Sequence, residues 1–168
     1  GDARLALGAL RGEWTLPPER LAAARQRLER PSPRLALGMA LRGSATSAAD
    51  LSDGLAGDLG HILKASAVGA SLTAEETTKI VAAGAHPSGA VAPFDAETLL
   101  RVALTGGDDY ELVFTAPPEA RAAVRAAARA SATPVTRIGR IEAEPGLRLV
   151  GADGRVSPLA ARAFDHFG

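Results

Sequence analysis

There is no cysteine in this chain. Disulfides and thiolate metal sites are therefore excluded, and a reducing, cytoplasmic setting is expected. Charge of one sign is not in excess either: 19 Lys+Arg stand against 19 Asp+Glu, for a formal net charge of +0. A nucleic-acid binder needs a concentrated positive field to displace counterions from phosphates, so that class loses its simplest support. No apolar run approaches the ~18–20 residues that span a bilayer, and the first residues lack the basic-then-apolar order of a secretory signal. Several catalytic signatures are missing as well. His61, His86 and His166 stand apart, and no histidine joins Asp or Glu at zinc spacing. No serine occupies a nucleophile elbow, and the glycine-rich phosphate loop ending in Gly-Lys-Ser/Thr is absent.

What is present is a chain of 168 residues, 46% of them hydrophobic, enough for one domain with a real core. "GDARLALGAL" opens without an initiator methionine, and the chain is expected to be a piece of a longer protein. A short helix is expected over 2–11. "PPERLAAARQRLER" predicts a clearer one, with Pro17 and Pro18 in its first turn and Leu21 and Leu28 on one face. "RPSPR" (30–34) must end it, and Leu35, Leu37, Met39 and Leu41 predict a further short helix. "SATSAADLSD" (44–53) reads as a strand running into a turn. From Gly54, Leu55, Leu59, Ile62 and Leu63 form one apolar stripe of a helix that Gly69 is placed to stop. "GASLTAEET" predicts a strand and a helix start, 83–94 a loop, and Asp95 the cap of a helix through Leu104. Tyr110, Leu112 and Phe114 alternate as in a strand. Pro117 and Pro118 open another helix, "PVTRIGRIEA" and "GLRLVGADGRV" are strands, and "ADG" (152–154) marks a tight turn. Strands mixed with helices without strict alternation argue for an α+β layered domain.

Two acidic stretches carry the interest. In "DLSDG" the ordinary reading is a helix cap from Ser52 or Asp53, with Gly54 easing the turn, and on spacing alone it is the better one. The alternative is a strand end meeting a helix N-terminus, where backbone N–H groups face a phosphate. Carboxylates beside phosphates then require a cation, and Mg²⁺ takes one or two carboxylates, phosphate oxygens and water. Asp50 and Asp53 suit that role; Asp58, one turn on, reads as solvated surface. In "TGGDDYEL" (105–112) the glycines either stop a helix or let a ligand approach the backbone. In the second case Asp108 and Asp109 present negative charge to a cationic or amino-bearing substrate.

Taken together, "RPSPR", "DLSDGLAGDLGHILKAS", "LTGGDDYELVF" and the final "FDHFG" resemble the thiamine-monophosphate kinase family in order and separation, from Arg30 to Gly168. "GDARLALGAL" is similar to the "GDSAAGLALL" that follows the N-terminal domain in that family. The family belongs to a superfamily with aminoimidazole ribonucleotide synthetase, selenophosphate synthetase and a hydrogenase-maturation carbamoyl dehydratase. The resemblance implies a layered α/β/α domain with a mixed sheet, like the C-terminal domain of aminoimidazole ribonucleotide synthetase. Residues 1–30 would be lead-in helices from the junction with a missing N-terminal domain, and 31–168 the C-terminal domain.

The implied activity is transfer of the terminal phosphoryl of ATP to thiamine monophosphate, giving thiamine diphosphate, in a full-length protein that is a homodimer. The missing domain would carry most metal ligands, so the chain alone is expected to be inactive. By motif, Asp50 and Asp53 resemble Mg²⁺ ligands and Ser52 an ATP contact. Asp108 is similar to a substrate-contacting acidic residue, and Phe164 to the aromatic that packs on the thiamine rings. The family's usual "GGEDYEL" has Glu where this chain has the shorter Asp108, and 71–93 matches poorly, so no function is assigned there. The alternatives are another ATP-using enzyme of the superfamily and a non-catalytic association module.

Overall fold

The computed structural model describes residues 1–82 and 94–159. The expected loop at 83–94 therefore falls, apart from Phe94, outside the described residues, as do Phe164 and His166. In chain order the helices are α1 (Asp2–Leu10), α2 (Pro18–Glu29), α3 (Leu35–Ala40), α4 (Leu55–Ser66), α5 (Ala74–Thr78), α6 (Ala96–Thr105) and α7 (Arg121–Ala130). The strands are β1 (Ser47–Asp50), β2 (Gly69–Thr73), β3 (Leu112–Thr115), β4 (Gly139–Glu142), β5 (Gly146–Val150) and β6 (Val156–Leu159).

β1 and β3 form an antiparallel ribbon in which Asp50 pairs with Leu112 and Ala49 with Val113. The other sheet has the order β4-β2-β5-β6 and is mixed: β2 runs antiparallel to β4 and parallel to β5. Side chains alternate across a strand, and this builds the layers. Val113 joins Leu55, Leu59 and Leu63 of α4 in a core shared with Ala70, Leu72 and Leu147 of the mixed sheet. Leu112 and Phe114 face the other way, onto Leu37 and Leu41 of the α3 region and Ala127 of α7. The ribbon is thus covered on both faces, by α4 and by the α3–α7 layer, as the α+β expectation requires.

A third cluster packs Leu5 and Ala6 of α1, Leu16 from the segment before α2 and Ala24 of α2 against Val102 and Ala103 of α6. Trp14 locks this corner: its Nε1 donates to Leu5 O at 2.8 Å, and its ring meets Phe94 edge-to-face at 5.5 Å. Pro18 opens α2 after Pro17, and Asp95 caps α6 by accepting from Thr98 N at 2.6 Å.

Three local expectations change. α4 ends at Ser66, with Ala67 in the left-handed region (φ 53), and Gly69 begins β2 instead of stopping the helix. Gly69 is needed there because a Cβ would collide with Glu144 O in the crossing segment. The strand expected from Tyr110 starts at Leu112, since Tyr110 has φ 50 and cannot join a ladder. "GLRLVGADGRV" is a hairpin: β5 and β6 are joined by a turn in which Gly154 N donates to Gly151 O at 3.0 Å.

Candidate functional site

β1 ends at Asp50, and the chain must then turn into α4. β3 is preceded by the turn from α6. Because β1 and β3 pair, both turns emerge at the same end of the ribbon. They are stitched together through the backbone. Leu51 N donates to Glu111 O at 2.8 Å, Tyr110 N to Leu51 O at 2.9 Å and Asp108 N to Ser52 O at 3.0 Å. Asp50, Ser52, Asp53 and Asp108, four of the site residues expected from the sequence, therefore lie along one seam. Asp50 and Asp108 are exposed, and Ser52 and Asp53 are half-buried.

Two glycines make the seam possible. Gly54 has φ 116, in a region that favours glycine, and a Cβ there would stand 3.0 Å from the Thr105 carbonyl carbon. A Cβ on Gly107 would run into Ser52 O. Asp108 itself has φ 65, a left-handed conformation that Asp tolerates better than most residues.

The carboxylates divide into two kinds. Among the described residues, those of Asp50, Asp53 and Asp108 form no ion pair with a basic side chain. They are the groups available to a ligand. Asp109, expected beside Asp108 as a ligand-facing group, is instead buried at 4% exposure, and its Oδ1 accepts from Ala3 N at 2.9 Å. It satisfies the first turn of α1, which has no side-chain cap of its own.

Asp58 overturns its expectation more sharply. It is not surface but buried at 6% exposure. Its Oδ2 accepts from the backbone N–H groups of Ser52 at 3.0 Å, Asp53 at 3.1 Å and Gly54 at 3.1 Å. A buried carboxylate is tolerated because it is hydrogen-bonded, and in the first turn of α4 it also meets the positive end of the helix dipole. Neither Ser52 nor Asp53 caps α4 through its side chain; Gly54 is the N-cap. Three of the N–H groups at this helix start, where the phosphate reading places an anion, are held by Asp58. The signal was in the sequence: Asp58 lies three residues after Leu55 and four before Ile62, on the apolar stripe itself.

A second feature not read from the sequence supports the seam from behind. Glu111 is gripped by Arg34, Nε to Oε2 at 2.7 Å and Nη2 to Oε1 at 2.6 Å, and by Arg27. The bond to Glu111 holds the Arg34 guanidinium more firmly protonated than usual. This gives the last residue of "RPSPR" a structural task. His61, by contrast, is exposed on α4, away from any such grouping.

Among the described residues, no three His, Cys, Asp or Glu side chains gather to hold a metal ion. Asp50 and Asp53 are two carboxylates, a donor set that fits a Mg²⁺ completing its shell with phosphate oxygens and water. Among the described residues no helix is long and apolar enough to cross a membrane.

The model of the family described as AIR synthase related protein, C-terminal domain, matches residues 15–152. The chain belongs to that family. Among curated relatives of this AIR synthase-related domain, the thiamine-monophosphate kinase of Salmonella typhimurium is 43% identical over 143 residues, covering 84% of this chain and 42% of that protein. The thiamine-monophosphate kinase of Synechococcus elongatus is 33% identical over 175 residues, covering 99% of this chain and 49% of that protein. The chain spans less than half the length of these relatives. Among solved structures, thiamine-monophosphate kinase from Stenotrophomonas maltophilia K279a superposes with a TM-score of 0.73 at 38% identity, over 94% of this chain and 48% of that one. AaThiL complexed with AMPPCP and TMP gives 0.69 at 26% identity, over 99% of this chain and 48% of that one. E. coli HypE, at 18% identity and a TM-score of 0.65, shares the fold.

Proposed function

We propose that this domain is the C-terminal part of a thiamine-monophosphate kinase, which transfers the terminal phosphoryl of ATP to thiamine monophosphate and yields thiamine diphosphate. One observation carries the reading: the two acidic motifs shared with that family are joined by three backbone hydrogen bonds into a single seam with open carboxylates. The AMPPCP and TMP bound to AaThiL support ATP and thiamine monophosphate as the ligands.

Within this reading Asp50 and Asp53 hold Mg²⁺, Ser52 contacts ATP and Asp108 faces the substrate. Phe164 stacks on the planar, partly cationic thiamine. When bound, Mg²⁺ supplies charge neutralisation along the phosphates, the main requirement of phosphoryl transfer. The chain's own residues fix where that charge sits: β1 delivers Asp50, and the Ser52–Asp108 link sets the nucleotide side against the substrate side. The remaining carboxylates come from an N-terminal domain, in a homodimeric, cytoplasmic full-length protein. The 168-residue chain alone is then inactive.

The test is product formation. The full-length protein, given Mg²⁺–ATP and thiamine monophosphate, is expected to form thiamine diphosphate, and the isolated chain is expected to form none. Tight binding of both ligands by the isolated chain in calorimetry would contradict the incomplete site. Absence of thiamine diphosphate with the full-length protein would remove the kinase reading itself.

A further inference from the structure

Asp58 has no role in the reading above, yet it is built into the same turn. Its Oδ2 collects three consecutive N–H groups, those of Ser52, Asp53 and Gly54, at 3.0–3.1 Å. From the opposite side Asp108 N holds Ser52 O at 3.0 Å. The peptide that carries Ser52 and Asp53 is thus pinned by its N–H groups to α4 and by its carbonyl to the α6–β3 turn. α4 is in turn fixed in the core by Leu55, Leu59 and Leu63.

We infer that Asp58 is a positioning residue, which transmits the rigidity of the α4 core to the turn bearing the nucleotide and metal groups. Its functional consequence rests on the kinase reading; its geometry does not. A ligand set works only when supporting groups hold it to within a fraction of an ångström. A charged acceptor shared by three donors does this where a neutral cap would hold one. Because Oδ2 is occupied by those donors, Asp58 acts through Ser52 and Asp53 and not as a ligand itself. The turn has the alternative of fraying, since Leu51, Ser52 and Asp53 are only partly buried and Asp50 before them is exposed.

The experiment has two arms, read on Asp58→Ala and Asp58→Asn. In the isolated chain, amide hydrogen exchange at Ser52, Asp53 and Gly54 is expected to rise at least about tenfold in Asp58→Ala, with Leu59–Leu63 unchanged. Asp58→Asn, which keeps an acceptor oxygen, is expected to fall between wild type and Asp58→Ala, and it carries the test if Asp58→Ala does not fold. In the full-length protein the same order is expected in kcat/KM for Mg²⁺–ATP, with kcat reduced more than KM is raised. Wild-type exchange at 52–54 in the variants would overturn the anchor. So would wild-type turnover in Asp58→Ala despite faster exchange. If full-length wild type forms no thiamine diphosphate, the kinase reading falls, while the exchange arm still decides whether Asp58 holds the turn.

Discussion

Arg34 holds Glu111 through two parallel bonds, Nε to Oε2 at 2.7 Å and Nη2 to Oε1 at 2.6 Å. The pair joins the residue just before α3 to the residue just before β3. It therefore braces the turn that carries Asp108 against the helical layer beneath it. Both side chains are only partly exposed, at 25% and 33%, so the pair is less screened than an ordinary surface bridge.

Arg34→Lys keeps the charge but loses the fork. It is expected to destabilise the chain by about 1–2 kcal/mol, the range for hydrogen bonds to a charged group discounted for partial exposure. Glu111→Gln leaves the Arg27 and Arg34 guanidinium groups together without their shared anion, and is expected to cost more. Urea denaturation of the two variants measures the order; equal stability of Arg34→Lys and wild type would show that the fork adds nothing.

Gly107→Ala tests the close approach of the two turns. The new methyl meets Ser52 O, which is backbone and cannot swing away. The Asp108–Ser52 and Tyr110–Leu51 bonds are expected to open, with a loss of about 1–3 kcal/mol. Gly38→Ala is the control: its nearest neighbour, Leu112 Cδ1, would lie 3.7 Å away, and α3 gains helix propensity. The expected outcome is a lowered thermal midpoint for Gly107→Ala and an equal or raised one for Gly38→Ala.

Asp95 supplies the pH-dependent case. The backbone N–H of Thr98 donates to it, and this holds its carboxyl below the ordinary value. A carboxyl depressed in the folded state contributes stability that is fully present above its unfolded pKa and is lost as pH falls through the folded one. The thermal-midpoint gap between wild type and Asp95→Ala is expected to be constant from neutral pH to about 5, and to close as pH falls below about 4. A gap independent of pH down to strongly acidic conditions would mean that the cap does not act through the carboxylate.

The contrast between Asp95 and Asp58 explains what the sequence made legible. Asp95 is a cap formed by neighbours: an Asp three residues before an amide it can reach, ahead of an apolar helix. That is local chemistry. Asp58 reaches backwards out of α4 to the turn before it, and its burial depends on how α4 packs. The apolar stripe is readable from Leu55 to Leu63, but the burial of a polar residue lying on it follows only from the packing of α4.

Gly69 begins β2 instead of ending α4 for a related reason. A Cβ there would meet Glu144 O in the segment between β4 and β5, some seventy residues away in sequence. Asp108 and Asp109 are adjacent, and no spacing rule tells which faces out; the positive φ of Asp108 and the needs of α1 decide it. What family resemblance added was the pairing of "DLSDG" with "TGGDDYEL". The antiparallel register of β1 with β3 supplies its physical basis.

The most direct measurement is the turnover of full-length protein carrying Asp50→Asn, with Mg²⁺–ATP and thiamine monophosphate. Asp50 is exposed at the end of β1 and in no ion pair among the described residues, so its charge has little to do with folding. Wild type is expected to form thiamine diphosphate, and Asp50→Asn to show at least about a tenfold fall in kcat with an unchanged denaturation midpoint. Wild-type turnover in Asp50→Asn would contradict the metal-holding role of Asp50.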